Sequence, residues 1–228
     1  NINSKRKIVS IFTNVIWDAQ LYYQQNIFKN IIEWCNETIE FLKDKNVTVL
    51  VRIHPAELSG TLPSNQKIYK EIINKFKKLP SNVHIIQPED SLNSYSVIDK
   101  SSLCIVYAST IANEIAAMGK PLLVGGEAYI KNKGISCDPN SKEEYFDLIE
   151  NLLKKPEVDE KIKLRAKKYA YYFYFQRMIP IELIEIPKSK LSNFTINFEK
   201  ANKMTKGQYF DRGLEVICDG ILDGKEFV

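Results

Sequence analysis

The feature that most constrains this chain is its alternation of short, apolar, β-branched runs with stretches of helical spacing. Two of those runs also end in residues able to bind an anion. Val49-Leu50-Val51-Arg52-Ile53-His54-Pro55 closes on Arg52 and His54. Ile105-Val106-Tyr107-Ala108-Ser109-Thr110 closes on two hydroxyls, just before a helical pattern that carries Glu114. Apolar runs of this length read as strands buried on both faces, as in a parallel sheet. Strands alternating with helices predict βαβ units and an α/β, doubly wound parallel sheet. In such a sheet the ligand crevice lies beyond the carboxyl ends of the strands, so both polar endings fall where a phosphate and a ribose would be held.

The pattern predicts strands at 7–13, 47–54, 83–87, 103–107 and 121–124. Between and after them it predicts helices at 19–43, 66–79, 92–99, 110–118 and 141–153. The turn Pro88-Glu89-Asp90-Ser91 is expected to cap the third of these, and Gly119 to stop the fourth. Residues 1–155 are therefore expected to form a Rossmann-like nucleotide-binding domain, and 156–228 a helical C-terminal extension and tail. The extension predicts a helix at 157–178 that starts with a lysine-rich face and ends in the aromatic run Tyr169-Ala170-Tyr171-Tyr172-Phe173-Tyr174-Phe175. That run is either a core helix or a surface for another domain or a membrane. Beyond Pro180 the chain is polar and weakly patterned to about Thr205, and 213–222 predicts a last helix.

Composition narrows the function classes. At 228 residues with 44% hydrophobic content the chain can bury a substantial core. A net charge of +4 falls short of a nucleic-acid-binding signature. No window approaches the roughly 18 continuous apolar residues of a membrane span. The four cysteines are far apart, and Cys104 sits in an apolar strand pattern as a small hydrophobe. With two histidines in all, a zinc site would need assembly from distant segments, so no metal is expected. These points predict a reduced, cytoplasmic protein. The lack of an initiator Met points to a processed chain or a piece excised from a longer one.

The candidate site residues each carry two readings. At a helix start, unpaired backbone N–H groups and the helix dipole favour a phosphate, and Ser109 and Thr110 can add hydroxyl donors. They can equally be an ordinary N-cap. If Thr110 caps, the capping-box position is Asn113, which leaves Glu114 unexplained as a capping partner. Glu114 lies three residues after Ile111 and four before Met118, and a carboxylate on such a face should be paired or ligated. Its two oxygens suit two ribose hydroxyls; a solvated helix carboxylate is the alternative. Arg52 and His54 are two apart on a strand and so share a face. Arg52 offers a bidentate fork to a phosphate. His54, the one catalytic candidate, either donates to a phosphate oxygen, acts as an acid or base, or merely packs. Asn14 and Asp18 follow the first strand into the same crevice, and Tyr95 ends the loop beyond the third, whose backbone can meet a base edge. His84 reads as structural. Gly125-Gly126, followed by Glu127 and Tyr129, permits close backbone approach or a tight turn, and the turn is the commoner case. No Gly-x-Gly-x-x-Gly, Walker A or Gly-x-Ser-x-Gly sequence occurs.

Taken in order, Arg52-Ile53-His54-Pro55, Ala108-Ser109-Thr110-Ile111-Ala112-Asn113-Glu114 and Gly119-Lys120-Pro121 resemble the C-terminal, nucleotide-binding half of GT-B glycosyltransferases. The resemblance covers roughly residues 7–153. It is to the bacterial capsule and surface-polysaccharide biosynthesis proteins, including the Kdo-transferase-like group and, more distantly, polysialyltransferases and CDP-glycerol transferases. It implies that His54 contacts the donor phosphate, that Ser109 and Thr110 bind phosphate, and that Glu114 holds the ribose. It further implies a nucleotide-sugar donor as substrate, no separate cofactor and no obligatory metal. The acceptor would be a saccharide or lipid-linked saccharide, and an N-terminal GT-B domain absent from this chain would supply the acceptor site and usual base. Peripheral association with the inner face of a membrane is left open, as are a sugar-nucleotide 2-epimerase of the same fold and a non-catalytic polysaccharide assembly module.

Overall fold

Lys7–Phe12 forms the central strand β1 of a five-stranded sheet. A computed structural model of the chain describes residues 6–17, 26–59, 64–185 and 194–226. On one side β1 pairs in parallel with β2 (Val47–Arg52), which pairs with β3 (Val83–Ile86). On the other side β1 pairs with β4 (Leu103–Val106), which pairs with β5 (Leu122–Val124). The order β3-β2-β1-β4-β5 makes an all-parallel, Rossmann-like sheet, so the doubly wound α/β expectation holds. The direction of travel reverses between β1 and β4, and that switch point is where such a sheet opens a crevice.

Strand alternation sends each side chain to one of two helical layers. Val9, Ile11, Val49, Val51, Ile53, Leu103, Ile105 and Leu123 share one core with Ile31, Trp34, Ile39 and Leu42 of α1 (Ile31–Leu42). Ile68 and Ile72 of α3 (Ile68–Phe76) join it, as do Tyr145 and Ile149 of α6 (Lys142–Lys154). The intervening positions Ser10, Phe12, Leu50, Arg52, Cys104 and Val106 face the opposite layer. There α4 (Ser94–Lys100) and α5 (Ile111–Ala117) bury Val97, Ile98, Ala112, Ile115 and Ala116. The Ser10 and Ser101 hydroxyls, 2.6 Å apart, tie β1 to the end of α4. Arg52 therefore sits on the α4/α5 side of the sheet.

Helix ends depart from the expected ones for local reasons. The first helix begins at Ile31, well inside the expected 19–43, and 18–25 lie outside the described residues. Asn30 is extended and its side chain accepts the Glu33 N–H, while Glu33 reaches back to the Lys29 N–H. These reciprocal bonds satisfy helix-start donors and fix the boundary. The cap of α4 is Asn93, which accepts the Tyr95 N–H at 2.8 Å, and not Ser91. A short α2 (Ala56–Ser59) also follows Pro55, without a sequence expectation behind it.

The buried polar groups of the α1/α6 layer form a closed chain. Trp34 Nε1 donates to the Tyr145 hydroxyl at 2.8 Å, the Thr38 hydroxyl lies 2.8 Å from it, and Thr38 donates to the Trp34 carbonyl at 2.7 Å. With Thr38 donating there, Tyr145 must donate to Thr38, so every group is satisfied. Burial pushes the Tyr145 phenol far up. Tyr145→Phe leaves the Trp34 N–H without an acceptor inside a dry core, and urea denaturation is expected to show a loss of about 1–3 kcal/mol.

The chain divides into two compact units, residues 1–168 and 169–228. The division falls within α7 (Glu160–Tyr171). In the second unit the helix expected to reach 178 gives way to a π-helical turn, Tyr172–Gln176. Of its aromatic run Phe173 is buried, whereas Tyr171, Tyr172 and Phe175 are exposed. The weakly patterned stretch contains an antiparallel pair, β6 (Ile184–Glu185) with β7 (Thr195–Ile196), and α8 (Phe198–Thr205). The last helix is α9 (Arg212–Asp223), capped by Asp211 and closed by Gly224 at φ 68°.

Candidate functional site

A cleft of about 310 Å³ opens at the switch point beyond the strand ends. Phe12 and Thr13 at the end of β1, Arg52, His54 and Pro55 at and just past the end of β2, and Ser109 and Thr110 after β4 form one part of its lining. Asn93, Ser94 and Tyr95 from the start of α4, with Ile111 and Glu114 from α5, form the other. Six expected site residues thus meet in one cleft: Arg52, His54, Tyr95, Ser109, Thr110 and Glu114. Asn14 is buried just past β1 and does not line it. Asp18 lies outside the described residues. His84 is exposed on β3, away from the cleft.

Arg52 is the unusual member. It is 7% exposed, and none of the ion pairs among the described residues involves it. Its Nη1 donates to the Gln87 carbonyl, while its Nε has no hydrogen-bond partner among the described residues. The Gln87 carbonyl is held in a turn, accepting the Asp90 N–H, while the Asp90 carboxylate accepts the Gln87 N–H. One arm of the guanidinium is therefore anchored, which leaves the fork less free than a fully bidentate reading requires. A buried guanidinium without a carboxylate is costly in isolation and calls for an anion.

His54 is oriented from two sides. Its backbone N–H donates to the Thr13 hydroxyl at 3.1 Å, and Thr13 donates to the Arg52 carbonyl at 3.3 Å. Its ring Nδ1 accepts the Ala56 N–H at 3.1 Å. A backbone N–H can only donate, so in the neutral ring the proton is on Nε2. That tautomer suits donation to a phosphate oxygen and opposes a role as general base through Nε2.

The hydroxyl of Thr110 makes no capping bond although Thr110 is the N-cap of α5. The ordinary-cap reading therefore fails for Thr110, whose residue is exposed at the cleft. Glu114 is half-buried, and its carboxylate, close to the Tyr95 hydroxyl, raises the Tyr95 phenol above its usual range. The Asn93 cap, which holds the Tyr95 N–H, sets the approach.

Gly125 and Gly126 serve close packing. Neither has a positive φ. A Cβ on Gly125 would stand 2.2 Å from Trp34 Nε1, and one on Gly126 would stand 2.9 Å from the Tyr107 ring. Their N–H groups donate to the Val106 and Tyr107 carbonyls, at 2.8 and 2.9 Å. The expected turn is a bend just past β5, laid over two aromatic rings. Glu127 pairs with Lys131 at 2.6 Å, and Tyr129 is exposed.

Thr13, Asn93 and Ser94 escaped the sequence reading. Thr13 has no motif of its own; its place at the end of β1, beside β2, is a tertiary fact. Asn93 was legible as an Asx cap ahead of Tyr95 and was outweighed by the earlier turn.

Among the described residues no group of three or more His, Cys, Asp or Glu side chains is arranged to hold a metal ion. No helix among them is long and apolar enough to cross a membrane.

No protein-family model matches the chain, and no curated protein matches it in sequence. Among solved structures, the beta Kdo 2,7 transferase KpsC of Thermosulfurimonas dismutans is similar over 90% of this chain and 55% of its own, at 14% identity and a TM-score of 0.47. The UDP-GlcNAc 2-epimerase of Neisseria meningitidis, solved bound to UDP-GlcNAc, is similar over 72% of this chain and 40% of its own, at 18% identity and a TM-score of 0.48. MurG of Acinetobacter baumannii is similar over 74% of this chain and 49% of its own, at 13% identity and a TM-score of 0.41. The chain spans between 40% and 55% of the length of these proteins.

Proposed function

We propose that this chain is the donor-binding part of a GT-B type glycosyltransferase, which moves a sugar from a nucleotide-activated donor to a capsular or surface polysaccharide. The observation that carries the reading is Arg52, a buried guanidinium that lines the cleft without a carboxylate partner among the described residues. A donor phosphate is the anion it needs. His54 Nε2–H and the hydroxyls of Ser109 and Thr110 supply further donors to the phosphate oxygens, and Glu114 accepts from the ribose. In transfer, the acceptor hydroxyl attacks the anomeric carbon, the bond from that carbon to the phosphate oxygen breaks, and the nucleotide leaves with the electron pair. Arg52 and the His54 N–H stabilise the charge that develops on that oxygen. The acceptor and the base that takes its proton belong to a further domain.

The chain is accordingly expected to bind a nucleotide and to transfer little sugar alone. Titration with CMP, CDP, UDP and GDP, followed by tryptophan fluorescence or amide shifts, should give saturable binding of at least one. A folded sample that responds to none of them would remove the reading. With the full-length protein, epimerised or hydrolysed UDP-sugar in place of a lengthened acceptor would overturn transfer as the reaction.

A further inference from the structure

A buried carboxylate next to the cleft has no part in the site described above. Glu57, on the short α2, is 2% exposed, whereas Pro55 and Leu58 are exposed and Ala56 is half-buried. A single helical turn has little stability of its own, and here its anchor is a carboxylate in place of an apolar side chain. Glu57 Oε1 accepts the N–H of Ile68, the first residue of α3, at 3.1 Å. Lys67, the N-cap of α3, makes no side-chain capping bond, so Glu57 satisfies that helix-start donor from eleven residues upstream. Ile68 and Ile72 are buried in the core, which makes α3 a fixed point for the tether.

The tether reaches the cleft through α2. The Glu57 N–H donates to the His54 carbonyl at 3.0 Å, and the Ala56 N–H donates to His54 Nδ1 at 3.1 Å. With that N–H on Nδ1, the neutral ring carries its proton on Nε2. The placement of α2 therefore decides which ring nitrogen is the donor. We propose that Glu57 is a positioning residue for His54: by tying α2 to the start of α3 it keeps the Ala56 N–H on Nδ1 and the ring proton on Nε2, where it meets the donor phosphate. This rests on the phosphate reading of His54. Released from Ile68, the turn loosens about Pro55 and the Ala56 N–H leaves the ring, which then samples both tautomers. The Nδ1–H form turns a lone pair toward the phosphate and repels it. Glu57 does not line the cleft and acts through the α2 backbone.

Long-range proton–nitrogen NMR correlation of the ligand-free protein, at a pH where imidazole is neutral, reads the tautomer directly. A His84→Gln background leaves His54 as the only histidine of the chain. There His54 is expected as the Nε2–H form alone. Adding Glu57→Ala should bring in a second, Nδ1–H form, while Glu57→Gln, whose amide oxygen can still accept the Ile68 N–H, should keep the single form. In calorimetric titration with UDP and CDP, Glu57→Ala is expected to bind about three- to tenfold more weakly, part of the worth of one hydrogen bond to a charged group, and Glu57→Gln within about twofold of wild type. Glu57→Asp keeps the charge but falls one methylene short of the Ile68 N–H. It should show the second tautomer as well, and it carries the test if circular dichroism finds Glu57→Ala unfolded. A folded Glu57→Ala or Glu57→Asp that loses stability while His54 stays wholly in the Nε2–H form would overturn the positioning role and leave Glu57 as a cap for α3. A second tautomer in these variants, beside a wild type that binds neither nucleotide, would uphold the hold of Glu57 on the ring and remove the phosphate role of its proton.

Discussion

Arg52→Met is expected to weaken nucleotide binding by about ten- to a hundredfold while leaving the ligand-free protein as stable as before, or more so. Hydrogen bonds to charged groups are worth about 1.5–3 kcal/mol each, and a buried guanidinium facing a phosphate loses that contribution outright when replaced by a thioether. Stability should move the other way. Arg52 is 7% exposed without an ion pair among the described residues, and its Nε is unsatisfied. Met fills a similar volume with no charge to desolvate, and such replacements are often neutral or stabilising. The lost bond to the Gln87 carbonyl is partly offset, since that oxygen still accepts the Asp90 N–H. Parallel calorimetric and urea measurements separate this from a structural role. A destabilised Arg52→Met with unchanged nucleotide affinity would show that the guanidinium is a strut for the 87–90 turn.

The sequence made Arg52 legible because strand alternation is a local rule. Two residues apart on one strand must share a face, and both Arg52 and His54 line the cleft. Ser109, Thr110 and Glu114 were legible through another local rule, the helix start that follows an apolar strand run. The strand order was not legible, because parallel strands meet through crossovers whose partners no local pattern names. The tautomer of His54 was also hidden. It depends on the Ala56 N–H, and hence on the short α2 turn that Pro55 starts. The helix assigned to 19–43 shows periodicity overriding a cap: Asn30 and Glu33 carried the signal, and the apolar spacing around them masked it. In the tail, two-residue strands with exposed side chains left no alternation long enough to read.

Gly125 shows why a glycine's role could not be read from its neighbours in sequence, and its replacement should be the most damaging small substitution in the sheet. A Cβ there would meet Trp34 Nε1 at 2.2 Å and Cδ1 at 2.5 Å, distances real Cβ atoms do not adopt. Neither partner can give way easily. Trp34 is fully buried, and its Nε1 is bonded to the Tyr145 hydroxyl, itself fully buried and bound to Thr38. The backbone of Gly125 is held by its N–H to the Val106 carbonyl at 2.8 Å. Overpacking a core commonly costs about 1–3 kcal/mol. With a rigid ring on one side and the sheet ladder on the other, Gly125→Ala is expected at or above the top of that range in urea denaturation. Breaking the indole's bond to Tyr145 adds the expense of an unsatisfied buried donor. The diagnosis can be checked by removing the obstacle. Trp34→Leu alone opens a cavity and destabilises the protein, but Gly125→Ala added to it should cost far less than in the wild type, a coupling expected between groups in contact. Additive losses in the double variant would place the effect of Gly125 in its backbone conformation and remove the contact with Trp34 as its cause.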